Sequence, residues 1–274
     1  MKVSIVVPSK GCKYLGYLLT GLRGQSVKPN EVVVVVKECD LRHVEDLCSR
    51  NSLPCVIIEQ KSGYFTHALN MGKREAKGDL IIFTDDDAIL LGKWIESYIK
   101  LHTMYPNIAG ISSRDMYLRL ENMKLMPTPD DKVITKLYRW AIRPWLNKPH
   151  PLLRKYRMGV YLTKNLNIVH GPFIPSKECF SLPFRGVNMS FKASYTYDAW
   201  FPEHKLLRRA PSNEQYFGLQ MVLKDLDTIY TPSNPVLHIA REESLSRTRD
   251  KTANAEHYLM KILFKELLSK YGFN

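Results

Sequence analysis

The stretch "LIIFTDDDAILL", residues 80–91, runs from a continuously apolar segment into three adjacent aspartates, Asp85, Asp86 and Asp87. A short apolar run without polar alternation reads as a strand buried on both faces of a parallel sheet. Three like charges at its end repel one another and lose hydration if the site closes. In doubly wound sheets, ligands bind at the carboxyl ends of strands, which is where these aspartates fall. In an extended segment Asp85 and Asp87 point one way and Asp86 the other. Two carboxylates converging on one face suit magnesium or manganese, which keep positions open for phosphate oxygens. The plainer reading is a solvated acidic turn with an Asp capping the next helix.

Upstream, "VSIVV" (3–7), "EVVVVV" (31–36) and "PCVIIEQ" (54–60) are further apolar strands. Leu15, Leu18, Leu19 and Leu22 recur at helical spacing between the first two, and 65–78 reads as a helix ended near Gly78. The alternation predicts an α/β fold with a doubly wound, mostly parallel sheet flanked by helices. Downstream, 92–106 reads as a helix, 185–194 as a turn and strand, and 213–225 as an amphipathic helix. Residues 227–238 read as two short strands around a proline-marked loop, and the tail from Thr252 as a helix striped by Tyr258, Leu259, Ile262, Leu263 and Leu267.

The 274 residues carry 40 Lys and Arg against 27 Asp and Glu, a net charge of +13. Such a surplus serves nucleic acid, an anionic membrane surface or phosphate-bearing small molecules. The five cysteines are odd in number, scattered and without a CxxC pair, which argues against a disulfide framework and a structural zinc site. The N-terminal apolar run is too short for a signal peptide, and no run approaches the roughly 20 apolar residues of a membrane helix. These features point to a cytoplasmic protein.

Three segments taken in order, "VSIVVPSKG", "QSVKPNEVVVVV" and "HALNMGKREAKGDLIIFTDDD", resemble family 2 glycosyltransferases of the GT-A fold. The later "RGVNMSFKAS" and "NEQYFGLQMVLKDLDTIYTPSNPVLH" continue the resemblance to about residue 247, while about 114–175 matches no family motif. The resemblance implies that Pro8, Ser9 and Lys10 border the nucleotide base and that Glu38 or Asp40 contacts base or ribose. Lys37 is unusual at its place. It implies that Asn70 and Gly72 lie near the donor, that Asp85 and Asp87 form the DxD motif, with Asp85 nearer the ribose, and that Asp86 also belongs to the donor site. Glu214 stands at the second position of the family's E-D motif and is expected to be the base of an inverting displacement. Asn213 replaces the carboxylate before it. His238 is expected to complete the metal shell or contact the phosphates. Arg241, Arg247 and Arg249 suit the pyrophosphate through bidentate hydrogen bonds. Gly186 and Asn188 are expected on the acceptor side. The implied donor is a UDP- or GDP-sugar held with Mn²⁺ or Mg²⁺, and the acceptor a glycan, a lipid-linked group or a small molecule.

Residues 132–177 hold ten Lys or Arg and no Asp or Glu, with Leu137, Trp140, Ile142, Trp145 and Leu146 interleaved. That composition suits a surface resting on anionic lipid headgroups at the cytoplasmic face of a membrane. Nucleic acid is disfavoured because no recognised binding module is present. The expected organisation is a single domain over 1–274. It comprises a nucleotide-sugar half (1–112), a basic, mainly helical insertion (113–178), an acceptor and catalytic half (179–250) and a C-terminal helix (251–274). Competing readings are a retaining GT-A enzyme, a nucleotidyltransferase and a basic membrane or nucleic-acid adaptor on a degenerate fold. The stretch "PSKGCKYLG" is a poor match to the glycine-rich loop of nucleotidyltransferases.

Overall fold

The structure is a computed structural model, described for residues 1–128, 131, 135, 137, 141, 147–241 and 251–273. Its strands are β1 (Val3–Lys10), β2 (Glu31–Lys37), β3 (Cys55–Glu59), β4 (Leu80–Phe83), β5 (Ala88–Ile89), β6 (Ile108–Ser112) and β7 (Asp115–Arg119). They continue with β8 (Lys124–Met126), β9 (Val160–Leu162), β10 (Ile168–His170), β11 (Cys179–Phe180), β12 (Met189–Lys192), β13 (Asp227–Tyr230) and β14 (Val236–Ile239). The helices are α1 (Leu15–Arg23), α2 (Leu41–Arg50), α3 (Phe65–Glu75), α4 (Trp94–Met104), α5 (Ala193–Thr196), α6 (Asn213–Val222) and α7 (Lys251–Lys270).

The main sheet has the order β11-β13-β6-β12-β4-β1-β2-β3. Strands β4, β1, β2 and β3 are mutually parallel, and β12 runs antiparallel between β4 and β6. The valine-rich strands are buried on both faces because both are covered. On one face Ile5, Val7, Val32 and Val34 pack with the leucines of α1 and with Trp94, Ile95 and Tyr98 of α4. On the other, Val6, Val33 and Val35 pack with Ala68 and Leu69 of α3 and an aromatic group of Phe83, Phe191, Phe201 and Phe217. A third core joins 151–169 to α6, β13 and α7 through Leu153, Tyr156, Leu162, Leu219, Tyr230 and Phe264.

Antiparallel β12 determines where the site forms. Met189 opposes both Phe83 and Ser112, so the 185–188 turn meets the carboxyl ends of β4 and β6. Beyond that edge a small sheet, β5-β14-β7-β8, pairs His238 with Ala88 on one side and Tyr117 on the other. Asp87, Asp115 and His238 thus arrive together from three separate parts of the chain.

Two sequence expectations are corrected here. Four of the five cysteines are paired, Cys12 with Cys39 and Cys48 with Cys55, at Cα separations of 5.8 and 6.2 Å. Cys12 and Cys39, 27 positions apart, meet only because β1 and β2 lie side by side, whereas Cys48 and Cys55, seven apart, join the end of α2 to the start of β3. The described part of the basic segment is also not mainly helical. It holds β9, β10 and a 3-10 turn at Pro151–Tyr156. Part of it is packed core, since Leu153, Tyr156, Val160 and Leu162 are fully buried and Lys155 pairs with Asp227 at 2.6 Å. Leu137 is exposed, whereas Trp140, Ile142, Trp145 and Leu146 lie outside the described residues.

Candidate functional site

The apolar strand β4 ends at Phe83, and the aspartates occupy a turn rather than an extended strand, with the Ala88 N–H donating to the Asp85 carbonyl. The turn alters the expected alternation. Asp85 and Asp87 do face one way, towards His238, but Asp86 is no outlier. Its Oδ2 accepts from the Ser9 hydroxyl at 2.5 Å and its Oδ1 from Arg241 at 2.5 Å.

Ligand atoms of Asp85, Asp87 and His238 all lie within 4.8 Å of one another. His238 Nε2 meets Asp87 Oδ2 at 3.1 Å, and Arg241 Nε pairs with the same oxygen at 2.5 Å. The other oxygen, Asp87 Oδ1, is buried without a hydrogen-bond partner among the described residues. Burial, then the Asp87 charge, raises the Asp85 pKa, so the cluster resists full ionisation without added positive charge. Two carboxylates, an imidazole and an orphaned buried oxygen fit a hard divalent cation.

His238 is held from behind. Its Nδ1 donates to Asp115 Oδ2 at 3.0 Å, and Asp115 Oδ1 accepts from Arg185 Nε at 3.1 Å. Burial opposes the imidazolium, but the hydrogen bonds to Asp115 and Asp87 outweigh it and raise the His238 pKa well above its ordinary value. Burial also opposes ionisation of Asp115, yet His238 and Arg185 bring it down to about 2. A carboxylate behind a histidine fixes the tautomer that leaves Nε2 facing a metal. Sequence reasoning missed Asp115 and Arg185. Arg185 sits in the quoted "RGVNMSF", but Asp115 belongs to no motif and is placed only by the pairing of β7 with β14.

Glu214 is half-buried in the first turn of α6. Its position is tightly constrained. Asn213 donates back to the Ala210 carbonyl at 2.9 Å, and Gln215 donates to the Pro183 carbonyl at 2.7 Å. Ala210 and Ser212 adopt left-handed backbone, φ 47° and 66°, which costs energy for residues with a Cβ. The buried Glu256 of α7 accepts from the Arg209 and Ala210 N–H groups and holds this turn. Gly186 lies over Glu214, where an added Cβ would come 3.8 Å from the Glu214 Cδ. Burial raises the Glu214 pKa, with Arg185 opposing the shift and Asp115 adding to it.

At the opposite rim, Pro8 and Ser9 are buried at the end of β1, and Lys10 is exposed and pairs with Glu38 at 3.2 Å. Asp40 caps α2 by accepting from the Arg42 N–H. The Gly11 N–H donates to the Lys37 carbonyl, and the Cys12–Cys39 bond ties the same two loops together.

Three expected contacts become structural. The Asn70 amide exchanges hydrogen bonds with Phe201 at 3.0 and 2.9 Å and reaches Glu203 at 2.6 Å, so it fastens the 201–203 segment. Gly72 lets α3 approach the sheet, since a Cβ there would sit 2.4 Å from Val6. Asn188 is fully buried. It accepts from Trp94 and Tyr98 and donates to the carbonyls of Arg114 and Asn234, leaving no donor or acceptor direction for a substrate. Arg247 and Arg249 lie outside the described residues.

The sequence profile of glycosyl transferase family 2 matches residues 4–159. The chain belongs to that family. No curated protein matches it. Among solved structures it is similar to S. aureus TarS 1–349 in complex with UDP-GlcNAc, at 17% identity and TM-score 0.59 over 96% of this chain and 67% of that one. It is also similar to the mannosyltransferase PcManGT from Pyrobaculum calidifontis in complex with GDP-Man and Mn²⁺ (16%, 0.58, 89% and 58%). A third is GalNAc-T7 with UDP, GalNAc and Mn²⁺ (11%, 0.62, 97% and 49%). The chain spans 43% of the full TarS chain. These likenesses establish the GT-A fold.

Proposed function

We propose that this family 2 protein is a metal-dependent, inverting glycosyltransferase that moves a sugar from a UDP- or GDP-sugar to an acceptor hydroxyl or lipid phosphate. The observation that carries the reading is the convergence of Asp85, Asp87 and His238 at the carboxyl edge of the sheet, with Glu214 placed beneath Gly186 nearby. A bound Mn²⁺ or Mg²⁺ would offset the negative charge that builds on the departing nucleoside diphosphate. Asp85, Asp87 and His238 would hold it, and Asp115 would keep His238 oriented. Glu214, with its pKa raised by burial, is suited to take a proton from the acceptor. Ser9, Lys10 and Glu38 or Asp40 would form the base rim. Structural relatives with UDP-GlcNAc and GDP-Man in their sites support the donor class without choosing between the bases. On this reading residues 1–112 serve the donor, 179–250 the acceptor and catalysis, and 113–178 and 251–274 support them.

The test is a panel of UDP- and GDP-sugars with Mn²⁺ or Mg²⁺, read by thermal shift and donor hydrolysis. A true donor at 100 times its Kd should stabilise the fold by about 2.7 kcal/mol, and only with metal present. No stabilisation by any nucleotide with metal would defeat the donor reading. The product anomer, read by NMR, separates inversion from retention.

Among the described residues no helix is long and apolar enough to cross a membrane. We retain the basic surface as a candidate contact with anionic lipid, now narrowed because part of it is core. Failure to float with anionic vesicles at low salt would remove it.

A further inference from the structure

Asp85, Asp86, Asp87 and Asp115 crowd four carboxylates into one edge of the fold, and two arginines and a histidine answer them. Arg185 and His238 both engage Asp115, and the far side of His238 engages Asp87. Arg241 is the third, and it is placed differently. Its Nη2 holds Asp86 Oδ1 and its Nε holds Asp87 Oδ2, the oxygen that also faces His238. Its guanidinium carbon lies 4.8 Å from the centre of the Tyr14 ring, so the group rests on the loop between β1 and α1. The backbone just before it is fixed, since the Ile239 N–H donates to the Asp87 carbonyl and the Ala240 N–H to the Leu118 carbonyl. Arg241 is therefore delivered to the carboxylates by the end of β14 and spans two of the three aspartates.

A guanidinium carries one charge and cannot be deprotonated at working pH. A divalent ion bound by Asp85, Asp87 and His238 would share Asp87 with it, and the two cations would repel across a few ångströms. A nucleoside diphosphate resolves the conflict, because its phosphate oxygens accept bidentate hydrogen bonds from arginine. We propose that Arg241 is the resident counter-ion of the metal-binding carboxylates, displaced from Asp87 when the cation enters and transferred to the donor's phosphates. Cation and nucleotide then bind as a coupled pair. Either alone binds weakly, because the cation must evict Arg241 with nowhere for it to go, and the nucleotide meets uncompensated aspartates.

The inference rests on the metal-dependent reading above, and the experiment separates the two. Mn²⁺ binding to the full chain is measured by electron paramagnetic resonance and calorimetry, with and without UDP or GDP, for wild type, Arg241→Gln and Arg241→Lys. Without nucleotide, Arg241→Gln should bind Mn²⁺ about tenfold more tightly than wild type, within the usual range of coupling between sites. The nucleotide should strengthen Mn²⁺ binding to wild type by on the order of tens-fold and to Arg241→Gln only a few-fold. Arg241→Lys, which keeps the charge but loses the fork, should fall between them, and it decides the matter if the glutamine variant does not fold. Equal or weaker Mn²⁺ binding by Arg241→Gln without nucleotide, in a chain where Mn²⁺ still binds, overturns the counter-ion role and leaves the metal site standing. No Mn²⁺ binding by any variant, with or without nucleotide, overturns both.

Discussion

On the side proposed to hold the donor, Ser9, Lys10 and Glu38 sit at the ends of valine-rich parallel strands, and the Cys12–Cys39 bond ties those strands' loops together. Beyond β4 the arrangement is different. Asp115, Arg185, Glu214, His238 and Arg241 come from four separate segments, and the pairing of β7 with β14 together with side-chain hydrogen bonds fixes their geometry. The first half holds its residues on one parallel sheet, and the second by a small separate sheet joined to a charge network. Substitutions in the first half should therefore register mainly in stability, and those in the second mainly in chemistry.

The largest expected effect is at Glu214. Glu214→Gln keeps the shape of the side chain and, on the proposed reading, removes the base, so kcat should fall by about 10²–10⁴ while the thermal midpoint holds. Full turnover in this variant would remove Glu214 from the mechanism. Next, in the first half, replacing both Cys12 and Cys39 by serine should cost about 3–4 kcal/mol in denaturant unfolding, from a cross-link spanning 27 positions. Reductant should destabilise the wild type more than the double variant, which keeps only the Cys48–Cys55 bond. A loss of kcat without loss of stability would contradict the division drawn here.

Asn188 tests the comparison from the opposite direction, because it lies in the second half yet is structural. Asn188→Ala strands the buried Trp94 indole N–H and Tyr98 hydroxyl, and should destabilise the fold by about 3 kcal/mol with the acceptor KM unchanged. A raised acceptor KM at unchanged stability would restore it to the acceptor site. Asp115→Asn removes the charge behind His238 and should weaken Mn²⁺ binding by about 10- to 100-fold, read directly by titration.

How much could be read in advance follows the same division. β1, β2 and β4 were legible because burial on both faces leaves a continuous apolar run, the edge strand β3 because its run is apolar although partly exposed, and a ligand edge follows from parallel topology. Asp85, Asp87 and His238 were legible by resemblance, and the structure brings them together. Asp115 was not legible, because only the register of β7 against β14 puts it behind His238. The Cys12–Cys39 pair was missed for the same reason, while Cys48–Cys55, only seven residues apart, was missed because the odd cysteine count argued against pairing. Asn70, Gly72 and Asn188 were misread because an Asn or Gly in a motif looks the same whether it meets a ligand, a loop or a buried tryptophan. Only partner counting distinguishes these cases.

The smallest effect expected is in pH dependence, and it links the base to the fold. Burial raises the pKa of Glu214 above its ordinary 4.5. The groups facing it are Arg185, which opposes the shift, and Asp115, which adds to it. If Glu214 is the proposed base, catalysis needs its ionised form, so the acid limb of kcat/KM should lie above the usual glutamate range, with activity rising as pH rises through it. Stability should move the opposite way. Between the unfolded value and the raised folded value the native state binds more protons than the unfolded chain, so the Glu214 contribution to stability declines as pH increases. The difference in unfolding free energy between wild type and Glu214→Gln should therefore fall across the window in which wild-type activity climbs. A difference that stays flat with pH would mean that Glu214 titrates as an ordinary exposed carboxylate, and would leave the acid limb to another group.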